Sequence, residues 1–442
     1  MATQNSTAVL DDPRIVMMDV SKLTPRKNNP RTHSPKQIRQ IADSIKAFGF
    51  TNPILVDDAA TVVAGHGRLE AAKLLGLAKV PTIALSHMTD AQLKAYVIAD
   101  NKLAENAGWD DELLALELKE LAETELDIDL TLTGFEMGEI DVRIGSLDEP
   151  EQEEEAPPEP PATDQVRTKP GDIWQIGPHR LICGDSRNPD AYDRLMDGKV
   201  ADLVFTDPPY NVPIDGHVCG LGSVKHREFA MAAGEMTRDQ FTGFLTDVLA
   251  NMARVSRDGA IHYVCMDWRH LPELQAAGEK VYSELKNLCV WAKTNAGMGS
   301  LYRSQHELVL VFKAGTGAHI NNVELGRYGR YRSNVWTYAG VNAFGANRDE
   351  ELASHPTVKP VQLVQDAILD TSNRGSIVLD AFAGSGTTLV AAHRAGRVGY
   401  GIELDPAYCD VICRRMQREG LDVVHAVTGE AFDVQEADNV QG

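Results

Sequence analysis

The sequence predicts an α/β protein in two folded parts. One is a mostly parallel, doubly wound sheet over residues 167–442; the other is a small α/β unit over 14–146. Three observations carry this. Strand-like and helical runs alternate through the second part, as they do when helices cover both faces of a parallel sheet. Several of its strand-like runs, ADLVF and SIVLDAF among them, are almost continuously apolar, which suits strands buried on both sides. Between the two parts, Glu149–Asp164 holds seven acidic residues, no basic ones and five prolines. Like charges repel and proline favours an extended chain, so 147–166 reads as an extended linker.

In the first part, SPKQIRQIADSIKAFG (34–49) places Ile38, Ile41, Ile45 and Phe48 on one helical face. Ser34 is its N-cap, Pro35 suits the first helical position and Gly49 stops it. NPILVDD (52–58) and ATVVAG (60–65) read as a β-hairpin. HGRLEAAKLLGL (66–77) is a helix and VPTIAL (80–85) a further strand, followed by helical stretches at 89–104 and 110–124. No helix-turn-helix is expected before the linker.

In the second part the strand-like runs are DIWQIG, HRLICGD, ADLVFTD, GAIHYVCM, LCVWAK, HELVLVFKAG, SIVLDAF and VGYGIEL. Helical runs cover 237–255, 271–284, 360–372, 387–395 and 406–419.

Composition narrows the function classes. Of 442 residues, 43% are hydrophobic and 24% charged, ordinary for a soluble globular protein. No stretch approaches the ~18–20 apolar residues that span a bilayer, and MATQNSTAVLDDP lacks the basic and apolar regions of a secretory signal. The six cysteines are scattered, and the one close pair, Cys409 and Cys413, sits four apart in a helical pattern. A reducing, cytoplasmic compartment is expected. No CxxC or HExxH supports a metal site. The net charge of −21 argues against nucleic acid only until a third of it is assigned to the linker.

Asp207-Pro208-Pro209-Tyr210 directly follows the strand ADLVFT. Two prolines remove two N–H donors and leave carbonyls to accept. A carboxylate, carbonyls and an aromatic face then meet at the C-terminal edge of a parallel sheet, where α/β ligands bind. Alkylation of an exocyclic base amine needs this set. The Asp207 carboxylate and Pro208 carbonyl can hold the two amino hydrogens, favouring a pyramidal, nucleophilic nitrogen. Tyr210 would stack on a base flipped from the duplex. The same four residues also read as an ordinary strand-ending turn.

Asp380-Ala-Phe382-Ala-Gly384-Ser385-Gly386-Thr-Thr388 lies between a strand and a helix. Glycines there let a ligand approach the backbone, and the helix start offers N–H groups. No Lys follows, so it is not a Walker loop, and Leu389 breaks the dinucleotide fingerprint. Glu403 ends the next strand, at the place and spacing of an acid that grips ribose hydroxyls. Two weaker signals are Ser354-His355-Pro-Thr357-Val-Lys359-Pro360, before a helix, and Gly184-Asp185, after the strand HRLIC.

Together and in this order, these four motifs resemble the DNA amino-methyltransferases, in the permuted β-class arrangement. The resemblance implies a Rossmann-like methyltransferase fold, S-adenosyl-L-methionine as methyl donor and double-stranded DNA as partner. It implies Asp207, Pro208, Pro209 and Tyr210 as the catalytic motif. Asp380, Phe382, Gly384, Ser385 and Gly386 match the cofactor loop, Glu403 the ribose acid and Asp185 the acid near the adenine ring. His355, Thr357, Lys359 and Pro360 match the motif that contacts the methionine end. DPPY rather than SPPY favours adenine N6. N4-cytosine methylation, or a DNA-binding regulator with a vestigial methylase half, are the alternatives; a homodimer is compatible with either.

The target-recognition region is expected at about 297–353. Within it Arg327-Tyr-Gly-Arg330-Tyr-Arg332-Ser-Asn-Val-Trp-Thr-Tyr338 interleaves three arginines with four aromatics. This suits phosphate contacts by Arg327, Arg330 and Arg332 with base stacking, or a solvated basic edge strand. The first part resembles the ParB-like domain family through NPILVDD, Gly65-His66-Gly67-Arg68-Leu-Glu70-Ala-Ala72 and VIADNKLAENAGWD (97–110). Arg68 is the one arginine of that box, which reads as a hairpin-to-helix packing unit used for docking or DNA contact as readily as a catalytic one.

Overall fold

The computed structural model describes residues 14–124, 129–147, 156–211, 234–294, 301–323, 332–338 and 359–432. The chain divides into two compact units, Met1–Asp148 and Glu149–Gly442. No described helix is long and apolar enough to cross a membrane.

The first unit runs β1 (Val16–Asp19), α1 (Pro35–Phe48), β2 (Ile54–Val56), β3 (Val62–Ala64), α2 (His66–Leu74), β4 (Lys79–Ala84), α3 (Asp90–Glu105), α4 (Asp111–Glu123) and α5 (Met137–Gly145). Its sheet has the order β1-β4-β2-β3. The expected hairpin is β2 with β3, antiparallel and bulged. Ser34 Oγ caps α1 by accepting from the Gln37 N–H, and Gly49 closes the helix at φ 82°. Phe48, expected on the packed face, is instead 53% exposed. β1 and α5 escaped the sequence reading. α5 has only nine residues, with Gly138 at its second position, so its apolar stripe is short. That stripe is nonetheless real: Ile140 and Ile144, one turn apart, pack with Leu118 of α4 and Leu130.

The second unit runs β5 (Ile173–Ile176), β6 (His179–Cys183), α6 (Pro189–Met196), β7 (Ala201–Thr206), α7 (Arg238–Arg254), β8 (Ser256–Met266), α8 (Leu271–Val281), β9 (Glu284–Lys293), β10 (His306–Lys313), β11 (Val335–Tyr338), α9 (Val361–Thr371), β12 (Ile377–Asp380), α10 (Thr387–Arg394), β13 (Val398–Glu403), α11 (Pro406–Arg418) and β14 (Val423–His425). They form one sheet of order β11-β9-β10-β8-β7-β12-β13-β6-β5-β14. Its centre, β8-β7-β12-β13-β6, is parallel. β10 runs against β8, and β9 against β10.

Helices α6, α7 and α8 pack on one face and α9, α10 and α11 on the other, each over a continuous apolar cluster. This is the Rossmann-like α/β fold expected of a methyltransferase. From β7 the chain goes to β8 on one side, and from β12 to β13 on the other. Neighbouring β7 and β12 therefore mark the topological switch point, at whose C-terminal edge sheets of this kind hold a ligand crevice.

The expected linker is more ordered at its described end than its charge pattern suggests. Pro157 and Pro158 are buried, and Thr163–Gln165 forms a short 3-10 turn. Asp410 of α11 then takes the Arg167 and Thr168 backbone N–H groups at 2.8 and 3.0 Å. This contact pins the start of the expected 167–442 domain.

Candidate active site

Four strand ends converge at the crevice. Asp207 follows β7, Asp380 ends β12, Glu403 ends β13 and Asp185 lies two residues past β6. The antiparallel arm reaches the same edge, because Lys293 ends β9 and Glu307 lies at the start of β10.

Asp380 is buried and serves the loop that follows it. Its Oδ1 accepts from Thr206 Oγ1 at 2.8 Å and from the Phe382 N–H at 3.0 Å. Its Oδ2 accepts from Thr388 Oγ1 at 2.6 Å. Burial raises its pKa to about 6 despite those donors. It therefore clamps β7, the loop and the first turn of α10 together.

The loop itself requires glycine twice, for different reasons. Gly384 has φ 51°, and a Cβ there would meet nothing closer than Phe382 O at 3.9 Å. Gly386 has φ 86°, and a Cβ there would press on Ile412 at 3.1 Å. Gly384 borders open space, while Gly386 lets α10 sit against α11. Beneath the loop, Arg415 of α11 donates to Ser385 O and Thr387 Oγ1, each at 3.2 Å. Phe382 packs against Phe244 of α7, ring centroids 6.1 Å apart.

Glu403 faces this loop. Its Oε2 accepts the Gly384 N–H and its Oε1 the Asp405 N–H, both at 2.8 Å. Burial lifts its pKa to about 7 against those bonds. A carboxylate beside an open glycine, with lone pairs beyond those two bonds, fits a ligand carrying vicinal hydroxyls. Asp185 accepts from Arg187 Nε and Nη2 at 3.1 and 2.7 Å. Burial opposes it, but Arg187 holds the Asp185 carboxyl below its usual range.

At Asp207 the side chains form a cluster that the motif alone does not announce. Lys359 Nζ donates to Asp207 Oδ2 at 2.5 Å, Glu307 Oε2 at 2.8 Å and Tyr210 Oη at 3.2 Å. Tyr210 Oη lies 2.5 Å from Asp207 Oδ1 and donates to it. Lys293 Nζ binds Glu307 Oε1 at 2.5 Å. Burial raises the Asp207 pKa. Burial would also raise Glu307, but its two lysines hold it down to about 2. Lys359 stays charged because the two carboxylates outweigh its desolvation.

Pro208 is buried and Pro209 partly so. Next in the chain Asn211 takes φ 53°, a left-handed conformation that asparagine tolerates. Its amide accepts from the Gly234 and Met236 N–H groups and donates to Met236 O, bracing the turn.

Two expectations change. Lys359, expected at the methionine end of the cofactor, is bound to Asp207 and Glu307. Arg332, expected on a phosphate, binds Asp366 at 3.2 Å and Asp370 at 3.0 Å and lies over the Trp336 ring. Both acids project from α9, so this charge is met inside the unit. The aromatics beside it are also structural: Trp336 is buried, and Tyr338 Oη donates to Asp366. Pro360 is buried as the N-cap residue of α9. His355, Thr357, Arg327 and Arg330 lie outside the described residues, as do 297–300, 324–331 and 339–353 of the expected target-recognition region. Glu307, Lys293, Arg415 and Asn211 were missed, since each acts through partners distant in sequence or, for Asn211, through a backbone conformation.

Comparison with known proteins bears on both units. Residues 4–101 match the ParB N-terminal domain, 112–170 a ParB-methyltransferase HTH domain and 201–414 a DNA methylase family covering N6 and N4 enzymes. The second match overturns the expectation that no helix-turn-helix precedes the linker. α5, overlooked for its shortness, lies within that match.

The ParB-like nuclease domain-containing protein YnaK of Escherichia coli (strain K12) is 47% identical over 79 residues, 18% of this chain and 91% of that protein. DNA adenine methyltransferase YhdJ of the same organism is 27% identical over 261 residues, 53% of this chain and 82% of that protein. Among solved structures, the M1.HpyAVI-SAM complex aligns with TM-score 0.38 and 19% identity, over 53% of this chain and 98% of that one. The chain belongs to the ParB-like family through its first unit, and residues 201–414 of its second match the DNA methylase family.

Proposed function

We propose that this protein transfers a methyl group from S-adenosyl-L-methionine to the exocyclic N6 amine of adenine in double-stranded DNA. The observation that supports it most is the meeting, at one sheet edge, of the Asp207-Tyr210 turn with the open Gly384 turn and Glu403. An amine acceptor and a ribose acceptor then flank one crevice.

S-adenosyl-L-methionine supplies an electrophilic methyl on its sulfonium. Glu403 accepts from its ribose hydroxyls, and the bare backbone at Gly384 leaves room for it. Asp207 accepts a hydrogen of the target amine and draws the nitrogen lone pair out of conjugation. The amine nitrogen forms the new bond to carbon, the carbon–sulfur bond breaks with its electrons left on sulfur, and the surplus amine proton leaves through Asp207 to water. The raised pKa of Asp207 suits that brief acceptance. Catalysis is positioning and electrostatics, with no covalent enzyme intermediate.

Adenine is favoured because the motif opens on a carboxylate, Asp207, and because YhdJ bears the name of an adenine methyltransferase. Chain order, with the Asp207 strand β7 before the Gly384 loop, supports the permuted class. The ParB-type unit and its HTH domain would add DNA contacts that choose where methylation occurs. The test is to incubate the purified protein with duplex DNA and methyl-labelled donor, then identify the labelled nucleoside by mass. N6-methyladenine is expected; label on N4 of cytosine, or none, refutes the reading.

A further inference from the structure

The second charged layer around Asp207 has no role in the reading above. Lys359 is 6% exposed, and each of its three protons has a partner: Asp207, Glu307 and Tyr210. Glu307 in turn takes a second lysine, Lys293, on its other oxygen. The two carboxylates and two ammonium groups thus balance. Glu307 reaches the spot because β10 runs antiparallel to β8 and enters the sheet at the edge where β7 leaves it. It stands opposite Trp291, over whose ring the Lys293 ammonium lies at 4.6 Å.

We propose that Glu307 is a positioning residue for methyl transfer, sharing the Lys359 ammonium so that the Asp207 carboxylate, which already accepts from Lys359 and Tyr210, keeps a lone pair available to the target amine. The inference rests on the function proposed above. Without the Glu307 charge, the Lys359 ammonium would pair with Asp207 alone and draw more of its carboxylate charge, weakening Asp207 as an acceptor for the amine. The cluster would also carry a net positive charge just where the amine nitrogen becomes cationic as its bond forms. Both effects act on the chemical step, and neither touches the Gly384–Glu403 side of the crevice.

Asp207 is faced by Lys359, by Glu307 with Lys293 behind it, by Tyr210, by the Cys265 thiol of β8 and by the Asp380 carboxyl of β12. Of the negative groups, Glu307 is the one that shares a lysine with Asp207. Replacing it by a neutral isostere removes a like charge, so the Asp207 pKa falls.

The experiment is single-turnover methylation of duplex DNA by the full chain across the acid-to-neutral range, for wild type, Glu307→Gln and Glu307→Asp. Calorimetric titration of S-adenosyl-L-methionine accompanies each protein. For Glu307→Gln the rate constant should fall roughly tenfold or more, and the acid limb of its pH profile should move to lower pH. Donor affinity should stay within about twofold, which also shows that the protein is folded. Glu307→Asp, which restores the charge, should recover part of the rate and the wild-type limb. A Glu307→Gln protein with wild-type rate and profile overturns the proposal. So does an equal loss in both variants with the limb unmoved, which marks a packing role. A Glu307→Gln protein too unstable to bind donor leaves the decision to Glu307→Asp, whose failure to keep the wild-type limb overturns it. If wild type itself transfers no methyl, the function reading falls, and this inference with it.

Discussion

Glu403 Oε2 accepts the backbone N–H of Gly384 at 2.8 Å, across nineteen residues of chain. The acid that closes β13 is thereby fixed against the turn that opens the cofactor loop. Two backbone donors hold its oxygens, yet burial keeps its pKa near 7 rather than in the usual carboxylate range.

Cofactor affinity should therefore depend on pH. The ionised form of Glu403 accepts from hydroxyls, and protonation below about pH 7 competes with that. S-adenosyl-L-methionine binding should weaken roughly tenfold between about pH 8 and about pH 6. In Glu403→Gln it should be weaker by ~1.5–3 kcal/mol at the higher pH, the worth of a hydrogen bond to a charged group. Calorimetry at several pH values checks both; a steep pH dependence surviving in Glu403→Gln would assign the titration elsewhere.

Asp207→Ala should stop methyl transfer while leaving donor binding largely intact. Glu307, the other carboxylate on Lys359, already has a lysine on each oxygen. Loss of the acceptor in the transition state predicts a fall of ~10²-fold or more. Single-turnover rates and a parallel donor titration separate chemistry from binding.

The two loop glycines should fail differently. Gly384→Ala adds a methyl in open space at positive φ, a strain of about 1 kcal/mol, so the protein should fold and lose donor affinity. Gly386→Ala adds the same kind of strain and a contact 3.1 Å from Ile412, so its loss should appear first as a lowered melting temperature. Melting curves with and without donor distinguish them.

Arg332→Ala should lower stability by about 3 kcal/mol, because Asp370, 5% exposed, loses a charged partner. The salt dependence of DNA binding should be unchanged, since no phosphate contact is removed. A flatter salt slope with unaltered stability would return Arg332 to the DNA surface.

The parts of this site that were legible are those written in short runs of chain. Asp207–Tyr210 and Asp380–Thr388 each join a strand end to a turn, so residue type and position arrive together. Glu403 was legible because strand, loop and helix lengths fix its distance from Gly384. Glu307, Lys293 and Lys359 form one cluster from three places, and only antiparallel pairing of β9 with β10 brings the first two together. Arg332 was misread for a related reason. Among aromatics it has the look of a nucleic-acid contact, but its partners, Asp366 and Asp370, stand on a helix more than thirty residues later. In the first unit the helical period exposed α1, whereas α5 was too short to show one.

The most direct test of the account is to sequence, by a method that reads modified bases, DNA from cells making the wild-type protein and from cells making Asp207→Ala. The account predicts N6-methyladenine within one sequence context for wild type and none for the variant. Marks on cytosine, or the same adenine marks with Asp207→Ala, would contradict it.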